Sequence, residues 1–210
     1  MFVDIHSHKD TLTDNPIIRN LTSSEAEIIF SSKKKGLFSV GIHPWFAGED
    51  YFELMPLLEK WLKDPRFVAV GECGLDKKSK VTLSIQQQIF ELQIALSEKL
   101  KKPLIIHCVS CFNELFEIKR RVNPLQTWII HGFRGKPELA AQTLKAGFAL
   151  SFGEYFNAES VRITPFEKLF VETDESSMLV EDIYNQIAII KACKIEELSA
   201  GSNFVNKWLE

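Results

Sequence analysis

Residues 68–107 read VAVGECGLDKKSKVTLSIQQQIFELQIALSEKLKKPLIIH, an apolar run, a helical stretch and a second apolar run in succession. In the middle, Ile85, Ile89, Leu92, Leu96 and Leu100 recur at steps of four, three, four and four, the period of a helix with one buried face. Ser84 and Gln87 have the spacing of a capping box, and Pro103 ends the helix. The flanking runs Val68–Ala69–Val70–Gly71–Glu72 and Leu104–Ile105–Ile106–His107 are continuously apolar up to one polar residue, as strands buried on both faces are. Strand, helix and strand in this order call for a parallel sheet.

The same unit repeats on both sides. Phe2–Val3–Asp4–Ile5–His6, Ser39–Val40–Gly41–Ile42–His43, Trp128–Ile129–Ile130–His131 and Leu169–Phe170–Val171–Glu172–Thr173–Asp174 are further strands; residues 147–152 add another and residues 16–21 a weaker one. Helices are expected over 52–63, from Pro137 to the terminator Gly147, over 180–193 and over 202–209. Seven or eight strands alternating with helices predict an α/β fold of the TIM-type (β/α) barrel, which ordinarily takes ~250 residues. The shortage falls in the first two βα units. Between His8 and Leu37 no long amphipathic helix is readable, so those connections are expected as loops or single turns, with residues 25–31 a short extra strand or part of a loop.

With 210 residues, 24.0 kDa and 45% hydrophobic residues, the chain carries apolar material for one core, and residues 1–210 read as a single domain. Its 25 basic and 28 acidic residues leave a net charge of −3 and a pI near 6.0, which excludes binding to nucleic acid through bulk charge. The lysine runs at 33–35, 77–80 and 99–102 could line a local groove, but such runs are ordinarily solvated surface. Cys73, Cys108, Cys111 and Cys193 form no disulfide framework. The pair Cys108 and Cys111 has redox spacing but no second pair nearby, so ordinary thiols in the cytoplasm are expected. Nothing resembles a secretion signal or a membrane span.

Of five histidines, His6, His43, His107 and His131 each follow an apolar strand, and His8 follows His6 by two. One histidine on an apolar face is usually a hydrogen-bonded core residue; this placement is different. Residues two apart in a strand project to one side, so His6 and His8 present two imidazoles together. In a parallel barrel all strand C-termini meet at one face. Glu72 and Asp174 occupy equivalent positions. Four imidazoles and two carboxylates can serve one divalent ion with ligands to spare, or two that share a carboxylate; two use the set more fully. Imidazole suits zinc, manganese, iron or nickel more than magnesium, and the mixed donors leave the ion open among Zn, Mn, Mg and Ni. A divalent ion lowers the pKa of bound water toward ~7 and a second polarises the bond attacked, which is hydrolytic chemistry.

The successive stretches Asp4–Ile5–His6–Ser7–His8, Gly41–Ile42–His43–Pro44, Gly71–Glu72–Cys73–Gly74–Leu75–Asp76, Lys102–Pro103–Leu104–Ile105–Ile106–His107, Ile130–His131–Gly132–Phe133 and Glu172–Thr173–Asp174 resemble, in order, the signatures of the TatD family of metal-dependent hydrolases in the amidohydrolase superfamily. The resemblance implies a deoxyribonuclease acting on DNA or another phosphodiester. It implies His6, His8, Glu72, His107, His131 and Asp174 as ligands of two ions, with Glu72 bridging and Asp174 as general base. His43 belongs on the substrate side of the pocket, set for a hydrogen bond to a phosphate oxygen. Trp45, Phe46, Arg134 and Lys136, in other strand-end loops, could hold a base and a phosphate. Asp76 is followed by Lys77 where family members usually carry tyrosine, and Asp174 by Glu175–Ser176–Ser177 where they carry a proline and a longer loop. Hydrolysis of a small amide, lactone or phosphate ester is the alternative on the same platform, and a non-catalytic metal-binding barrel the second. No membrane or obligate protein partner is expected, and a monomer is the default.

Overall fold

The computed structural model describes residues 1–9, 14–48 and 51–209. Strands and helices follow as β1 (Asp4–Ser7), β2 (Ile17–Leu21), α1 (Ser23–Phe30), β3 (Leu37–Val40), α2 (Tyr51–Leu62), β4 (Phe67–Asp76), α3 (Leu83–Leu100), β5 (Leu104–Val109), α4 (Phe112–Val122), β6 (Trp128–Ile130), α5 (Pro137–Lys145), β7 (Ala149–Phe152), α6 (Ala158–Ile163), β8 (Leu169–Val171), α7 (Val180–Lys191) and α8 (Ala200–Leu209). The eight strands take sheet positions in chain order, and their described pairings are parallel, the arrangement of a TIM-type (β/α) barrel. No described helix is long and apolar enough to cross a membrane. Contacts gather the chain into two compact units, Met1–Arg19 with Ile129–Glu210 and Asn20–Trp128.

In the first unit the two ends of the chain meet. Ser7 of β1 bridges Asp174 in parallel, with Asp174 N donating to His6 O at 2.9 Å and His8 N donating to Asp174 O at 3.2 Å. Tyr184 of α7 holds the start of β1: its hydroxyl accepts from Val3 N at 3.3 Å and donates to Val3 O at 3.1 Å. Ile5, Phe148, Leu150, Phe152, Ile183 and Ile187 are fully buried around these strands. Each such side chain contributes about 1.5–3 kcal/mol through removal from water.

The second unit is built on β4, all ten of whose residues are buried. Its partner β5 is set by the register Gly74↔His107 and Asp76↔Val109. Gly74 has φ +137°, and a Cβ there would run into the His107 carbonyl, so the strands approach this closely only because the position is glycine. Helix α3 buries Ile89, Phe90 and Ile94 together with two glutamines that satisfy strand ends. Gln93 accepts from Ile42 N at 2.7 Å and donates to Ile42 O at 3.1 Å; Gln86 accepts from Asp76 N at 2.8 Å and donates to Asp76 O at 3.0 Å.

Several expectations are corrected. Residues 25–31 are neither strand nor loop: α1 covers most of them, started by a reciprocal Thr22–Glu25 capping box. That box lies in the sequence, but only Ala26 and Ile29 of the helix are buried, too few for a readable period. The Ser84–Gln87 box does not form, because α3 begins at Leu83 with Thr82 as its N-cap, putting Ser84 inside the first turn. Helices α4 and α6 were not anticipated. His43 lies three residues beyond the end of β3 in a turn that Gln93 fixes, and Glu72 lies inside β4, whose end is Asp76.

Candidate metal centre

In the first unit, His6 is fully buried within β1 and the exposed His8 follows it, their rings 5.1 Å apart as the same-side argument requires. Asp174 is brought to them by the β1 pairing. Its Oδ1 lies 3.8 Å from His6 Nε2 and 3.5 Å from His8 Nε2. Asp174 holds φ at 55°, a left-handed conformation that Asp enters more readily than most side chains and that clusters at functional sites. His131 stands just after β6 with its ring 4.5 Å from that of His6 and its Nδ1 3.4 Å from Glu172 Oε1.

Two further carboxyls underlie this group. Glu172 is fully buried and accepts from Gly132 N at 2.6 Å. Burial pushes its pKa up, but the hydrogen bond and charge of His131 and the field of His6 outweigh burial and hold it below the usual value, so it stays a carboxylate. Asp4 accepts from His6 N at 3.2 Å, Thr173 N at 3.1 Å and Thr173 Oγ1 at 2.6 Å, tying the start of β1 to the chain leaving β8. Burial pushes the Asp4 carboxyl up to about 7 against those bonds.

In the second unit, Glu72 Oε1 lies 2.7 Å from His107 Nδ1 and 3.3 Å from His43 Nε2, and the two imidazole rings are 4.5 Å apart. The other face of His107 meets Asp76, with Nε2 and Oδ2 3.2 Å apart. Asp76 also accepts from Trp45 Nε1 at 2.5 Å and from Lys78 N at 2.7 Å. Burial raises its pKa, and the bonds from Lys78, Trp45 and His107 bring it below the ordinary value. A carboxylate behind an imidazole fixes ring orientation and raises basicity, as metal-binding histidines need.

These donors fit divalent ions. Within the first unit, one ligand atom each from His6, His8 and Asp174 lie within 4.8 Å of one another, as do one each from His131, Glu172 and Asp174; His43, Glu72 and His107 do so within the second. Mixed imidazole and carboxylate donors suit zinc, manganese, iron or nickel. All six ligands expected from the sequence fall in these groups. His43, expected to face substrate, sits beside Glu72 and His107. Asp4, Asp76 and Glu172 were missed as site residues, although all three stand in the quoted stretches.

Of the substrate candidates, Trp45 is exposed but bonded to Asp76, and Phe46 is more exposed still, its ring 5.8 Å from His43. Arg134 lines a cleft of about 280 Å³ in the first unit, where its guanidinium lies 5.0 Å from the centre of the Tyr155 ring. Lys136 is exposed at the N-cap position of α5, its side chain making no capping bond. Lys77 pairs with Glu114 at 2.5 Å and Lys99 with Glu59 at 2.8 Å, as solvated surface does. Cys108 and Cys111 are free thiols, and burial pushes Cys108 up to about 12, far from a redox thiolate.

Comparison with known proteins bears on the assembly as a whole. A family model described as TatD related DNase matches residues 5–202. An uncharacterized metal-dependent hydrolase of Buchnera aphidicola is 32% identical over 147 residues, 66% of this chain and 55% of its own. The human 3'-5' RNA nuclease TATDN2 is 34% identical over 155 residues, 68% of this chain and 20% of its own. The 3'-5' ssDNA/RNA exonuclease TatD of Erwinia amylovora is 26% identical over 77% of this chain and 73% of its own. The match thus spans about half the length of the Buchnera relative and a fifth of the human one. Among solved structures, the TatD homolog YJJV of Escherichia coli superimposes with a TM-score of 0.81 at 18% identity, covering 99% of this chain and 97% of that one, which establishes the barrel fold.

Proposed function

The chain belongs to the TatD-related DNase family, and from that premise we propose that residues 1–210 form one hydrolase domain that cleaves phosphodiester bonds of single-stranded nucleic acid with divalent metal. The observation that carries this reading is that imidazole and carboxylate donors gather in threes whose atoms lie within 4.8 Å of one another, His6, His8 and Asp174 and His131, Glu172 and Asp174 in the first unit, and His43, Glu72 and His107 in the second. His6, His8, His131 and Asp174 in the first unit, and Glu72 with His107 in the second, would hold the ions, two per chain. Such ions supply a water acidified toward ~7 and a Lewis acid on the phosphate oxygens.

The chain's own residues do the rest. Asp174 accepts the proton of the attacking water as its oxygen bonds to phosphorus, and the bond from phosphorus to the leaving sugar oxygen breaks. That oxygen takes its proton from solvent. Glu172 and Asp76 orient His131 and His107 from behind, and Asp4 keeps Asp174 in register with β1 through Thr173. His43, Trp45 and Arg134 are assigned to substrate. Names of relatives that act on single-stranded DNA and RNA support the substrate class, and four free thiols support a reducing, cytoplasmic setting.

The test is hydrolysis of single-stranded DNA and of bis(p-nitrophenyl) phosphate by metal-stripped protein, before and after Mg, Mn or Zn is added. Metal-restored cleavage of both is expected. Cleavage of the small ester alone would move the substrate to small phosphate esters, and silence with every metal would contradict hydrolysis.

A further inference from the structure

The cleft that ends on Asp174 has a rim that the metal chemistry does not use. Arg134 follows β6 and Tyr155 follows β7, and both are exposed. The Tyr155 ring is 63% exposed and lies against the Arg134 guanidinium, 5.0 Å from charge centre to ring centre. Scattered exposed aromatics are normal on a protein surface. This one stands beside the only cation that lines the cleft among the described residues, where Glu154, Glu172, Asp174 and Glu175 supply four carboxylates. Away from bound metal, such a cleft repels a phosphate except at Arg134. What the Tyr155 face can take without electrostatic cost is a flat, uncharged ring.

We propose that Tyr155 and Arg134 form a nucleotide subsite, Tyr155 stacking one base of a single strand and Arg134 pairing with the adjoining phosphate, an inference that rests on the phosphodiesterase reading above. The cation over the ring holds the aromatic plane in place before substrate arrives, reducing the ordering cost of binding. Stacking on an aromatic side chain tolerates any base, so the subsite selects for an unpaired strand and not for sequence. Ser176 donates to Glu154 at 2.6 Å and holds that carboxylate at the cleft.

The experiment is cleavage of a short oligothymidylate by metal-loaded protein, compared with the same oligonucleotide carrying an abasic sugar at each position in turn. Tyr155→Ala is expected to lower kcat/KM roughly tenfold or more on the intact strand, the range for loss of one stacked base. That cost should vanish when the abasic sugar occupies the stacking position, and Tyr155→Trp should restore the intact-strand rate. Arg134→Ala should weaken the salt dependence of binding, as loss of one phosphate contact does. A Tyr155→Ala effect that is absent, or equal on intact and abasic strands, would overturn the subsite and leave the nuclease reading standing. A wild-type protein that cleaves bis(p-nitrophenyl) phosphate but no oligonucleotide would overturn the subsite and the nucleic-acid substrate while keeping the hydrolase. Inertness toward both would overturn all three.

Discussion

His8 and Asp174 are joined twice: His8 N donates to the Asp174 carbonyl at 3.2 Å, and His8 Nε2 lies 3.5 Å from Asp174 Oδ1. The first contact is part of the pairing between β1 and the chain beyond β8; the second is chemistry. One backbone ladder therefore sets the distance between an imidazole and the carboxylate assigned as base.

Asp174→Asn separates these roles. Asparagine keeps the left-handed backbone and the carbonyl that His8 bonds, and it removes the basic oxygen. Hydrolysis should fall by at least ~100-fold, with the thermal midpoint of the metal-free protein within a few degrees of wild type by circular dichroism. Turnover near the wild-type rate would remove Asp174 from the role of base.

Gln93→Ala should destabilise without touching a donor atom. It strips partners from both the N–H and the carbonyl of Ile42, which are buried. Leaving both bare costs about 2–6 kcal/mol at 1–3 kcal/mol per group. Urea denaturation measures this, and a loss below about 1 kcal/mol would mean that the His43 turn finds other support.

Arg66 anchors the segment between α1 and β3 by donating to the carbonyls of Phe30, Ser32 and Lys34 at 2.9–3.3 Å, while Asp64 grips its guanidinium at 2.7 Å. The Arg66 hydrogen bonds hold the Asp64 carboxyl below its ordinary value of 3.8. A carboxyl so depressed stabilises the fold above its unfolded pKa and loses that contribution as pH falls through the folded one. The stability difference between wild type and Asp64→Asn should be present at pH 6 and disappear toward pH 2. A difference that grows on acidification would contradict the pairing.

Metal removal should lower stability as well as activity. An ion held only by the folded chain adds about 2.7 kcal/mol at a hundredfold excess over its dissociation constant. Scanning calorimetry of chelated and zinc- or manganese-loaded protein should show an upward shift on loading, and His6→Ala with His8→Ala should reduce it.

The barrel was legible because runs such as Leu104–His107 are continuously apolar and α3 carries apolar residues at helical steps, although the face it buries is shifted, with Ile89, Phe90, Ile94 and Leu96 inside and Leu92 exposed. Helix α1 was not, because its one strong signal, Thr22 with Glu25, precedes only two buried positions. Helix α4 buries only Leu115 and Ile118 of eleven residues, and α6 has only six. The six proposed metal donors could be read because histidine is rare in this chain and recurs at the ends of apolar runs. Asp76 and Glu172 could not be weighed from sequence, since what defines them is distant: Trp45 lies 31 residues from Asp76, and Gly132 lies 40 from Glu172. Only folding shows which buried carboxylate stands behind which imidazole. Tyr155 had no local signal either, because its meaning depends on Arg134 and the cleft between them.

The most direct test of the account is the metal content of the stripped protein after equilibration with zinc or manganese, measured together with cleavage of single-stranded DNA. The account predicts two ions bound per chain and cleavage that rises with occupancy and disappears on chelation. Cleavage undiminished in excess chelator, or a chain that binds no ion at micromolar metal, would contradict it.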